Sequence, residues 1–445
     1  MNIVRISVIG CGYLGAVHAA AMASLGHEVI GIDTDTAKVE RLSAGIAPFY
    51  EPGLPELLQS TVASSALRFS TEMNEVAGSD IHFLALGTPQ QAGGAAADLS
   101  FLGGALTQLL PLLRPGDIVV GKSTVPVGTA ETLAAHVATR RAHLVWNPEF
   151  LREGWAVTDS LEPNRIVVGV ETDHNGTPTA AGTEAADRIA QLYAPLVNDN
   201  CPYIVTDLAT AQLVKVANNA FLATKISFIN AMAEIAEVSR ANVTTLADAI
   251  GLDDRIGRRF LGAGIGFGGG CLPKDIRAFA ARAEELGRGE SVAFLREVDA
   301  INLRRRERAV QLVVNALGGS VHKRRVTVLG ASFKPFSDDI RDSPALTVAT
   351  RLRGLGAKVT VTDPAALENV ARAYPQLKLQ ADRDTALRGA EAVVLVTEWD
   401  EYRRDLDPQA AGELVDQPII VDGRNCLDAA AWRAAGWSYY GMGRL

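Results

Sequence analysis

The sequence predicts an α/β protein in which two doubly wound sheet domains are joined by a helical middle domain with one long central helix. Three observations support this fold class. Short apolar runs alternate with helical patterns over roughly the first 200 residues, a long stretch without proline or glycine follows, and a second series of apolar runs begins near residue 325. Strands that alternate with helices usually pair in parallel, with helices covering both faces of the sheet.

The first domain is predicted over residues 1–206. Its apolar runs end in glycine or polar residues and are typical of buried strands. They cover residues 3–9, 28–32, 81–86, 118–121, 143–146 and 165–170. Helical patterns lie between several of these runs, which favours parallel pairing.

The middle domain is predicted over residues 207–317. No proline or glycine occurs from Asp207 to about Arg240, and apolar residues recur there at helical spacing. Asp207 is a suitable N-cap for this single long helix. At 1.5 Å per residue the helix would span roughly 50 Å, which is more than a small domain needs. Such a helix commonly bridges domains or builds a subunit interface.

A third domain, again α/β, is predicted over residues 318–445. The pair Gly318-Gly319 indicates a linker, and a second strand series follows it. Its apolar runs cover residues 325–330, 358–362, 392–396 and 419–421.

Composition excludes several classes of function. The chain has 445 residues, of which 48% are hydrophobic and 21% charged, as in ordinary globular proteins. A net charge of -8 argues against a nucleic-acid partner. No apolar run approaches the ~20 residues needed to cross a bilayer, so no membrane partner is expected. The predicted first strand leaves no room for a signal peptide.

The four cysteines are Cys11, Cys201, Cys271 and Cys426. They lie far apart and form no CxxC pattern, so neither a disulfide framework nor a metal site is predicted. This usage favours the reducing cytoplasm.

A dinucleotide-binding loop is predicted at Gly10, Gly12 and Gly15. These residues form G-x-G-x-x-G between the first strand and a helix, a Rossmann-like arrangement that lets a pyrophosphate approach the backbone. Asp33 ends the next strand and can accept hydrogen bonds from ribose hydroxyls, which favours NAD over NADP. The alternative is a glycine turn that holds no cofactor. The second strand series ends at Gly330 without the later glycines, which favours a different ligand.

The stretch 262–275 is a glycine-dense loop that ends in Cys271, with Lys274 and Asp275 following. Glycine lets a backbone approach a ligand closely. A thiol beside a cation ionises more easily, and the thiolate is the nucleophile. The alternative is a flexible turn with a cysteine that is merely a small apolar side chain, and with Asp275 as a helix cap.

Other spacings suggest catalytic groups. Lys215 and Asn219 are one helical turn apart and can present a cation and an amide to an oxyanion. Glu149 and Glu153 can act as a base and a water-positioning group. Thr124 can relay a proton. Without further information, an exposed lysine, a surface asparagine and a helix-capping threonine remain open as alternatives.

A series of short motifs follows in order along nearly the whole chain. They are residues 10–15, 50–54, 87–89, 123–129, 147–154, 215–221, 254–257, the Cys271 loop, 333–334 and 422–424. Because these motifs occur together and in this order, the chain resembles the UDP-glucose/GDP-mannose 6-dehydrogenase family. One departure is Gly270, because the family usually has serine before the cysteine. Glycine loosens the loop and removes a hydroxyl, but the nucleophile remains.

The resemblance implies that a sugar primary alcohol is oxidised to a carboxylate with two NAD+. Cys271 would hold the aldehyde as a thiohemiacetal, a second hydride transfer would give a thioester, and water would release the acid. Residues 254–257 favour the conversion of UDP-glucose to UDP-glucuronate. A sister reaction on GDP-mannose or another UDP-hexose is one alternative, and a non-catalytic nucleotide-sugar sensor is another.

The resemblance also implies that the first domain binds NAD, that the third binds the UDP-sugar, and that individual residues have the following roles. Catalysis is implied for Cys271, Lys215, Asn219, Asp275, Thr124 and Glu149. NAD contacts are implied for Gly10, Gly12, Tyr13, Leu14, Gly15, Asp33, Lys38, Thr88, Thr124, Glu153 and Arg341. Substrate contacts are implied for Glu149, Phe150, Leu151, Lys215, Asn219, Arg255, Phe260, Leu261, Phe267, Gly268, Phe333, Lys334 and Arg424.

Oligomerisation is a further implication. Arg255 resembles a family arginine that reaches the substrate of a neighbouring subunit. We therefore expect a homodimer, or a higher homo-oligomer, packed through the long helix.

Overall fold

The computed structural model describes residues 3–444. The chain divides into two compact units, residues 1–218 and 219–445, and each unit contains one sheet. The boundary between the units falls inside a 32-residue helix, Leu208–Ser239.

The first unit is built on short strands whose side chains are mostly buried. They are β1 (Arg5–Ile9), β2 (Glu28–Ile32), β3 (Leu67–Ser70), β4 (Ile81–Leu84), β5 (Ile118–Gly121), β6 (His143–Trp146), β7 (Ile166–Val170) and β8 (Tyr203–Asp207). Their order across the sheet is β3-β2-β1-β4-β5-β6-β7-β8. Pairing is parallel from β3 to β6 and between β7 and β8, whereas β6 and β7 are antiparallel.

Nine helices begin among the described residues of the first unit; the first eight lie between these strands and the ninth follows β8. They are α1 (Tyr13–Ser24), α2 (Thr36–Ser43), α3 (Leu54–Ala63), α4 (Ser100–Leu109), α5 (Thr129–Ala138), α6 (Ala156–Leu161), α7 (Ala180–Leu192), α8 (Ala194–Asn198) and α9 (Leu208–Ser239). Helix α1 is buried from Gly15 to Ala23, because small alanine side chains allow it to pack closely in the core.

The strand order of this first sheet reverses between β1 and β4. In open α/β sheets, ligands bind outside the carboxyl ends of the strands at such a reversal. The glycine loop follows β1, Thr88 follows β4 and Thr124 follows β5. The topology therefore places these three predicted cofactor contacts at the expected edge of the sheet.

The second unit continues with helices and a second, smaller sheet. Its further helices are α10 (Val243–Gly251), α11 (Leu272–Glu285), α12 (Phe294–Ala316), α13 (Pro344–Gly354), α14 (Leu367–Ala373), α15 (Arg383–Leu387), α16 (Asp400–Arg403), α17 (Pro408–Leu414) and α18 (Ala429–Ala434). Its strands are β9 (Arg325–Leu329), β10 (Lys358–Thr362), β11 (Lys378–Leu379), β12 (Ala392–Leu395), β13 (Ile419–Asp422) and β14 (Ser438–Gly441).

All neighbouring strands of the second sheet are parallel, in the order β11-β10-β9-β12-β13-β14. The order reverses between β9 and β12. Phe333 and Lys334 follow β9, and Arg424 follows β13, so these predicted substrate contacts lie at the carboxyl edge of this sheet.

The predicted fold class is confirmed: two sheet domains of Rossmann type are joined in the chain by a helical segment. The long helix was expected from Asp207 to Arg240 and runs from Leu208 to Ser239. Asp207 caps it, since its Oδ1 accepts a hydrogen bond from the Thr210 backbone N at 2.7 Å. Within residues 3–444, no helix is both long and apolar enough to span a membrane.

Candidate active site

The glycine loop of the first unit exposes bare backbone at the start of α1. Gly10 has a φ of +92°, a conformation that favours glycine. A Cβ at Gly15 would lie 1.8 Å from the Gly10 carbonyl oxygen, so only glycine allows the helix to pack this closely. A Cβ at Gly12 would have no heavy atom of the described chain within 4 Å. The loop therefore has the open surface that a pyrophosphate requires at a helix N-terminus.

Asp33 stands at the end of β2 and faces this loop. Its Oδ2 accepts hydrogen bonds from the Cys11 backbone N and from Lys38 Nζ, each at 2.9 Å. The Asp33 side chain is 11% exposed, so the carboxylate is fixed in place yet reachable. The structure thus brings Asp33 and Lys38 together at the loop, where both were predicted to contact the ribose.

Tyr13 and Leu14 begin α1. Leu14 packs against the core, and the Tyr13 ring stacks on Phe49 with centroids 4.7 Å apart. The Tyr13 hydroxyl donates to Glu51, which is 2% exposed. Burial raises the pKa of the Glu51 carboxyl, although hydrogen bonds from Tyr13 and from backbone amides oppose this.

Glu51 received no role in the sequence reading beyond its place in a motif. Its two oxygens accept the backbone N–H groups of Gly154 and Ala156 at 2.6 and 2.7 Å. It therefore anchors the turn that carries the half-buried Glu153. The available signal was a carboxylate three residues before a helix that starts with an apolar residue.

Thr88 and Thr124 are joined by a hydrogen bond from Thr88 Oγ1 to the Thr124 carbonyl oxygen, at 2.7 Å. Thr88 is buried and Thr124 is half-buried. The bond ties together the two loops that follow β4 and β5, at the reversal in strand order.

Glu149 and Lys215 form an ion pair that is nearly excluded from water. The Lys215 Nζ lies 2.9 Å from Glu149 Oε1, and the side chains are only 6% and 12% exposed. Glu149 Oε2 accepts a hydrogen bond from the Leu151 backbone N at 2.6 Å. The Phe150 ring lies 5.5 Å from the Lys215 ammonium and carries the Arg165 guanidinium at 3.8 Å. Four predicted residues, Glu149 to Leu151 and Lys215, are therefore neighbours.

A second buried lysine in this region was missed by sequence reasoning. Lys122 directly follows β5, is 6% exposed, and donates a hydrogen bond to Asn147 Oδ1 at 2.9 Å. Burial lowers the pKa of Lys122 to about 8. A cation placed immediately after an uninterrupted apolar strand was the signal that could have revealed it.

In the second unit, Cys271 directly precedes α11 and is exposed. Asp275 lies in the first turn of that helix and is 3% exposed. Its Oδ2 accepts a hydrogen bond from Asn219 Nδ2 at 2.7 Å, and its Oδ1 pairs with Lys274 Nζ at 2.5 Å. The structure thus brings together Cys271, Asn219 and Asp275. A thiol at a helix N-terminus is in a setting that favours the thiolate.

The glycines before Cys271 are held by different constraints. Gly266 and Gly269 have φ values of +89° and +87°, and a Cβ at Gly269 would lie 2.7 Å from the Phe333 ring. A Cβ at Gly268 would lie 2.3 Å from the Asp342 carbonyl oxygen. Backbone and ring contacts thus fix the conformation of this part of the loop, in contrast to the flexible turn that the sequence left open as an alternative.

Gly270 differs, because its φ lies outside the left-handed region. A Cβ there would lie 2.3 Å from Cζ of Arg341, whose Nε donates to Asp339 Oδ2 at 2.8 Å. The absence of the family's usual serine therefore makes room for the Arg341 guanidinium against the loop, one residue from Cys271.

Arg424 ties the cysteine loop to the second sheet. Its guanidinium donates to the carbonyl oxygens of Gly266 at 2.8 Å, Phe333 at 3.1 Å and Val396 at 2.8 Å. Lys334 Nζ lies 5.4 Å from the Phe333 ring. The predicted substrate residues Gly268, Phe333, Lys334 and Arg424 therefore cluster around the carboxyl ends of β9 and β13.

Phe267 is buried and is held by Asn302, which the sequence reading did not single out. Asn302 Oδ1 accepts the Phe267 backbone N–H at 2.7 Å, and its Nδ2 donates to the Phe267 carbonyl oxygen at 3.0 Å. Arg306 Nη2 donates to the same oxygen at 2.9 Å. Polar residues on the buried face of α12 thus support the loop.

The remaining predicted substrate residues lie after α10. Arg255 has an 89% exposed side chain and pairs with Asp253 at 2.7 Å. Phe260 is exposed with a φ of +66°, whereas Leu261 is 2% exposed and belongs to a hydrophobic cluster with α9 and α10. The side chain of Leu261 therefore packs in the core.

The first unit has the fold and the glycine loop of an enzyme that uses a nicotinamide dinucleotide, and the second carries an accessible cysteine at a helix start. Three family models match in order. They describe the NAD binding, central and UDP binding domains of the UDP-glucose/GDP-mannose dehydrogenase family, at residues 4–197, 209–304 and 327–429. The chain belongs to this family of NAD-dependent dehydrogenases.

Similar proteins extend over the whole chain. A UDP-glucose 6-dehydrogenase of Rhizobium meliloti is 38% identical over 445 residues, covering 99% of both chains. UDP-glucose 6-dehydrogenase YwqF of Bacillus subtilis is 37% identical, covering 99% of this chain and 98% of that protein. The solved structure of a UDP-glucose dehydrogenase from Pyrobaculum islandicum is 37% identical with a TM-score of 0.89, covering 100% of this chain and 98% of that one.

Proposed function

We propose that this chain oxidises UDP-glucose to UDP-glucuronate with two NAD+, through a thiohemiacetal and then a thioester on Cys271. The full-length relatives with 37–38% identity carry the name UDP-glucose 6-dehydrogenase, which supports this substrate. The observation that carries the proposal is the exposed Cys271 at the start of α11, one turn before a buried aspartate held by Asn219.

The thiol explains how one carbon can lose four electrons in a single enzyme. NAD+, when bound at the glycine loop, accepts a hydride in each of the two oxidation steps. Between these steps, the Cys271 sulfur adds to the aldehyde carbon and keeps the half-oxidised sugar on the protein. The thiohemiacetal carbon then loses its hydride to a second NAD+ and its hydroxyl loses a proton, which leaves a thioester. Water then attacks the thioester, the C–S bond breaks, and the thiol and the carboxylate product are released.

Within residues 219–445, Asp275 is suited to organise the hydrolytic water. Asn219 and Lys274 fix both of its oxygens, so the carboxylate cannot rotate away from the first turn of α11. Asn219 also presents an amide to the oxygen of the thiohemiacetal, in a setting where hydrogen bonds to developing charge are strong.

Within residues 1–218, Lys215 is suited to stabilise an oxyanion and Glu149 to move a proton or hold water. Their 2.9 Å pairing with little exposure holds both groups in a fixed orientation. Thr124 is proposed as a proton relay, and Glu153 as a contact to the nicotinamide. We infer that NADP is a poor substitute, because the Asp33 carboxylate repels a 2′-phosphate.

The sugar nucleotide is proposed to contact Phe333, Lys334 and Arg424, together with the loop backbone at Gly268. Lys334 and Arg424 balance diphosphate charge. The UDP binding model at residues 327–429 supports a nucleotide sugar at this sheet, and the names of the full-length relatives favour UDP-glucose over GDP-mannose. Phe150, Leu151 and Phe260 are proposed as further substrate contacts. Leu261 and Phe267 have buried side chains and are proposed to contact the substrate only through their backbone. We further propose that the chain has three domains, at 1–206, 207–317 and 318–445. Its proposed location is the cytoplasm.

We also propose a homodimer packed through α9. On the part of α9 within the second unit, Phe221, Phe228, Ile235 and Val238 are 48–82% exposed and recur at helical spacing. A row of large apolar side chains facing water favours burial against a second copy. Arg255, which is exposed, is proposed to reach the partner's substrate.

The central experiment counts NADH per sugar with a panel of nucleotide sugars. Two NADH per UDP-glucose and a UDP-glucuronate product are expected. Cys271→Ser should abolish acid formation while still binding NAD+ and UDP-glucose. One NADH per sugar, unchanged turnover in Cys271→Ser, or a clear preference for GDP-mannose would each contradict the proposal.

A mixing experiment tests the dimer. Cys271→Ser and Arg255→Ala are each expected to be inactive, but mixed and reassembled dimers contain one complete site and should recover part of the activity. A monomeric mass in light scattering, or no recovery on mixing, would refute the shared site.

A further inference from the structure

Lys122 is a buried cation to which the proposed chemistry assigns no role. Burying an ammonium is costly unless it is hydrogen-bonded or paired. Its Nζ donates to Asn147 Oδ1 at 2.9 Å and lies 5.7 Å from the Phe83 ring. A lysine retained at such a cost at the end of a central strand calls for a reason beyond packing.

Hydrogen bonds hold both the side chain and the backbone of its partner Asn147. The Asn147 Oδ1 also accepts a hydrogen bond from Tyr193 Oη at 2.9 Å, and its Nδ2 donates to the Val167 carbonyl oxygen at 2.8 Å. The Asn147 backbone N donates to Gly121 at 2.9 Å. Asn147 stands two residues before Glu149, so this network anchors the start of the turn that presents the Glu149 carboxylate.

The charges around Lys122 connect it with the Glu149–Lys215 pair. The Glu149 carboxylate raises the pKa of Lys122, whereas burial and the like charge of Lys215 lower it. The nearby His18 ring stacks edge-on against Phe83 at 4.3 Å and is kept neutral, since burial and the Lys122 charge hold its pKa well below the usual range. Glu149 and Lys215 thus both act electrostatically on Lys122, and the neighbouring His18 is neutral.

We propose that Lys122 is a positioning residue for the reaction: through its hydrogen bond to Asn147 it holds in place the turn that presents Glu149 to Lys215. The kinetic test of this inference rests on the proposed function. The inference goes beyond that function because it assigns the orientation of Glu149, which follows β6, to a residue that follows β5.

The kinetic test compares Lys122→Met, Lys122→Arg and Tyr193→Phe, with the exposed Lys378→Met as a control. Lys122→Met should lower kcat/KM for UDP-glucose roughly 100-fold, as small misplacements of catalytic groups do. The loss should fall on kcat, and the affinity for NAD+ should stay that of the wild type, because the turn that carries Glu149 is displaced while the glycine loop is untouched. Lys122→Arg should restore most of kcat because it keeps a donor to Asn147, and Tyr193→Phe should lower kcat less than Lys122→Met does.

Two readouts do not depend on turnover. In Lys122→Met, amide hydrogen exchange should accelerate at residues 147–154 but not at 358–366. Because the pKa of Lys122 is about 8 when folded and about 10.4 when unfolded, the unfolded chain binds more protons between these values, and this group's contribution to stability rises with pH. The Tm advantage of the wild type over Lys122→Met should therefore grow from pH 8 to pH 10.

The outcomes separate the two proposals. If the wild type oxidises no nucleotide sugar, the proposed function fails, while faster exchange at 147–154 still supports the anchoring by Lys122. If Lys122→Met keeps the wild-type kcat and exchange pattern, or if Lys122→Arg behaves like Lys122→Met in both, the positioning role is overturned.

Discussion

In both sheets, equivalent hydrogen bonds place an aspartate after the second strand, but the surroundings of the two aspartates differ. Gly10 N donates to the Ile32 carbonyl oxygen, and Gly330 N donates to the Thr362 carbonyl oxygen, both at 2.8 Å. The residue after each second strand is aspartate, and it accepts the backbone N–H of the residue after the glycine. These bonds are 2.9 Å for Asp33 and 2.7 Å for Asp363.

The difference lies in what surrounds the carboxylate. Asp33 remains reachable beside bare glycine backbone and pairs with Lys38. Asp363 is 2% exposed, and its Oδ2 also accepts Ser332 N at 3.0 Å and Trp399 Nε1 at 3.2 Å. An indole and a hydroxyl therefore occupy the neighbourhood that stays open in the first sheet.

The comparison shows that strand order fixes where an acidic group stands, while the following side chains decide whether a ligand can reach it. In the first sheet we propose that the aspartate binds the dinucleotide. In the second sheet Asp363 stabilises the fold, and the proposed ligand contacts at the strand ends are Phe333, Lys334 and Arg424. The predictions below test this division.

The largest effect is expected from Asp363→Ala. Several buried N–H groups would lose their acceptor, and each unsatisfied donor costs about 1–3 kcal/mol, so unfolding free energy should fall by at least about 3 kcal/mol. The matched Asp33→Ala should cost about 1 kcal/mol because its site is more open. Urea unfolding of both variants provides the measurement. Equal losses would remove the distinction between the two carboxylates.

A smaller effect is expected from Gly12→Ser, which gives the first loop the residue that the second loop has at the equivalent position, Ser332. Since a Cβ at Gly12 meets open space, Gly12→Ser should leave Tm within a few degrees of the wild type. The side chain would occupy the surface that the pyrophosphate approaches, so affinity for NAD+ should fall by about 100-fold. Calorimetric titration with NAD+ measures this. Retained affinity would mean that the cofactor does not lie on this loop.

The smallest effect is expected from Trp399→Phe. It removes one indole N–H donor to Asp363 and keeps most of the ring, so stability should fall by about 1 kcal/mol. Urea unfolding monitored by circular dichroism measures the loss, with Trp155→Phe on an exposed ring as the control. A loss as large as that of Asp363→Ala would indicate that ring packing, rather than the hydrogen bond, holds Asp363.

Much of the fold was predictable because its central strands are continuous apolar runs. The bounds of β2, β5, β6 and β10 agree with the sequence reading. The strands β3, β8, β11 and β14 were missed, since they are short or lie at the sheet edges. In β8, Ile204 and Val205 are exposed, which hides the strand from a search for buried runs. The antiparallel contact between β6 and β7 was missed for a related reason: periodicity carries no strand direction.

The candidate site was predictable where a motif carries its own chemistry, as at Gly10 to Gly15 and at Cys271. Residues that act through a neighbour, namely Glu51, Lys122 and Asn302, gave weak signals because their role depends on contacts far apart in the sequence. Asn302 touches Phe267 across 35 residues, and Glu51 holds Gly154 across 103. Such pairings become visible only once the chain is folded.

Gly270 has a consequence for how this loop can change over time. The backbone at position 270 accepts any residue, and the guanidinium of Arg341 is what blocks a side chain there. A serine there requires Arg341 to move, but the blocking atoms lie at the far end of a flexible side chain, so a rotation of the guanidinium makes the room. We therefore expect this loop to accept glycine or serine before the cysteine with its backbone unchanged.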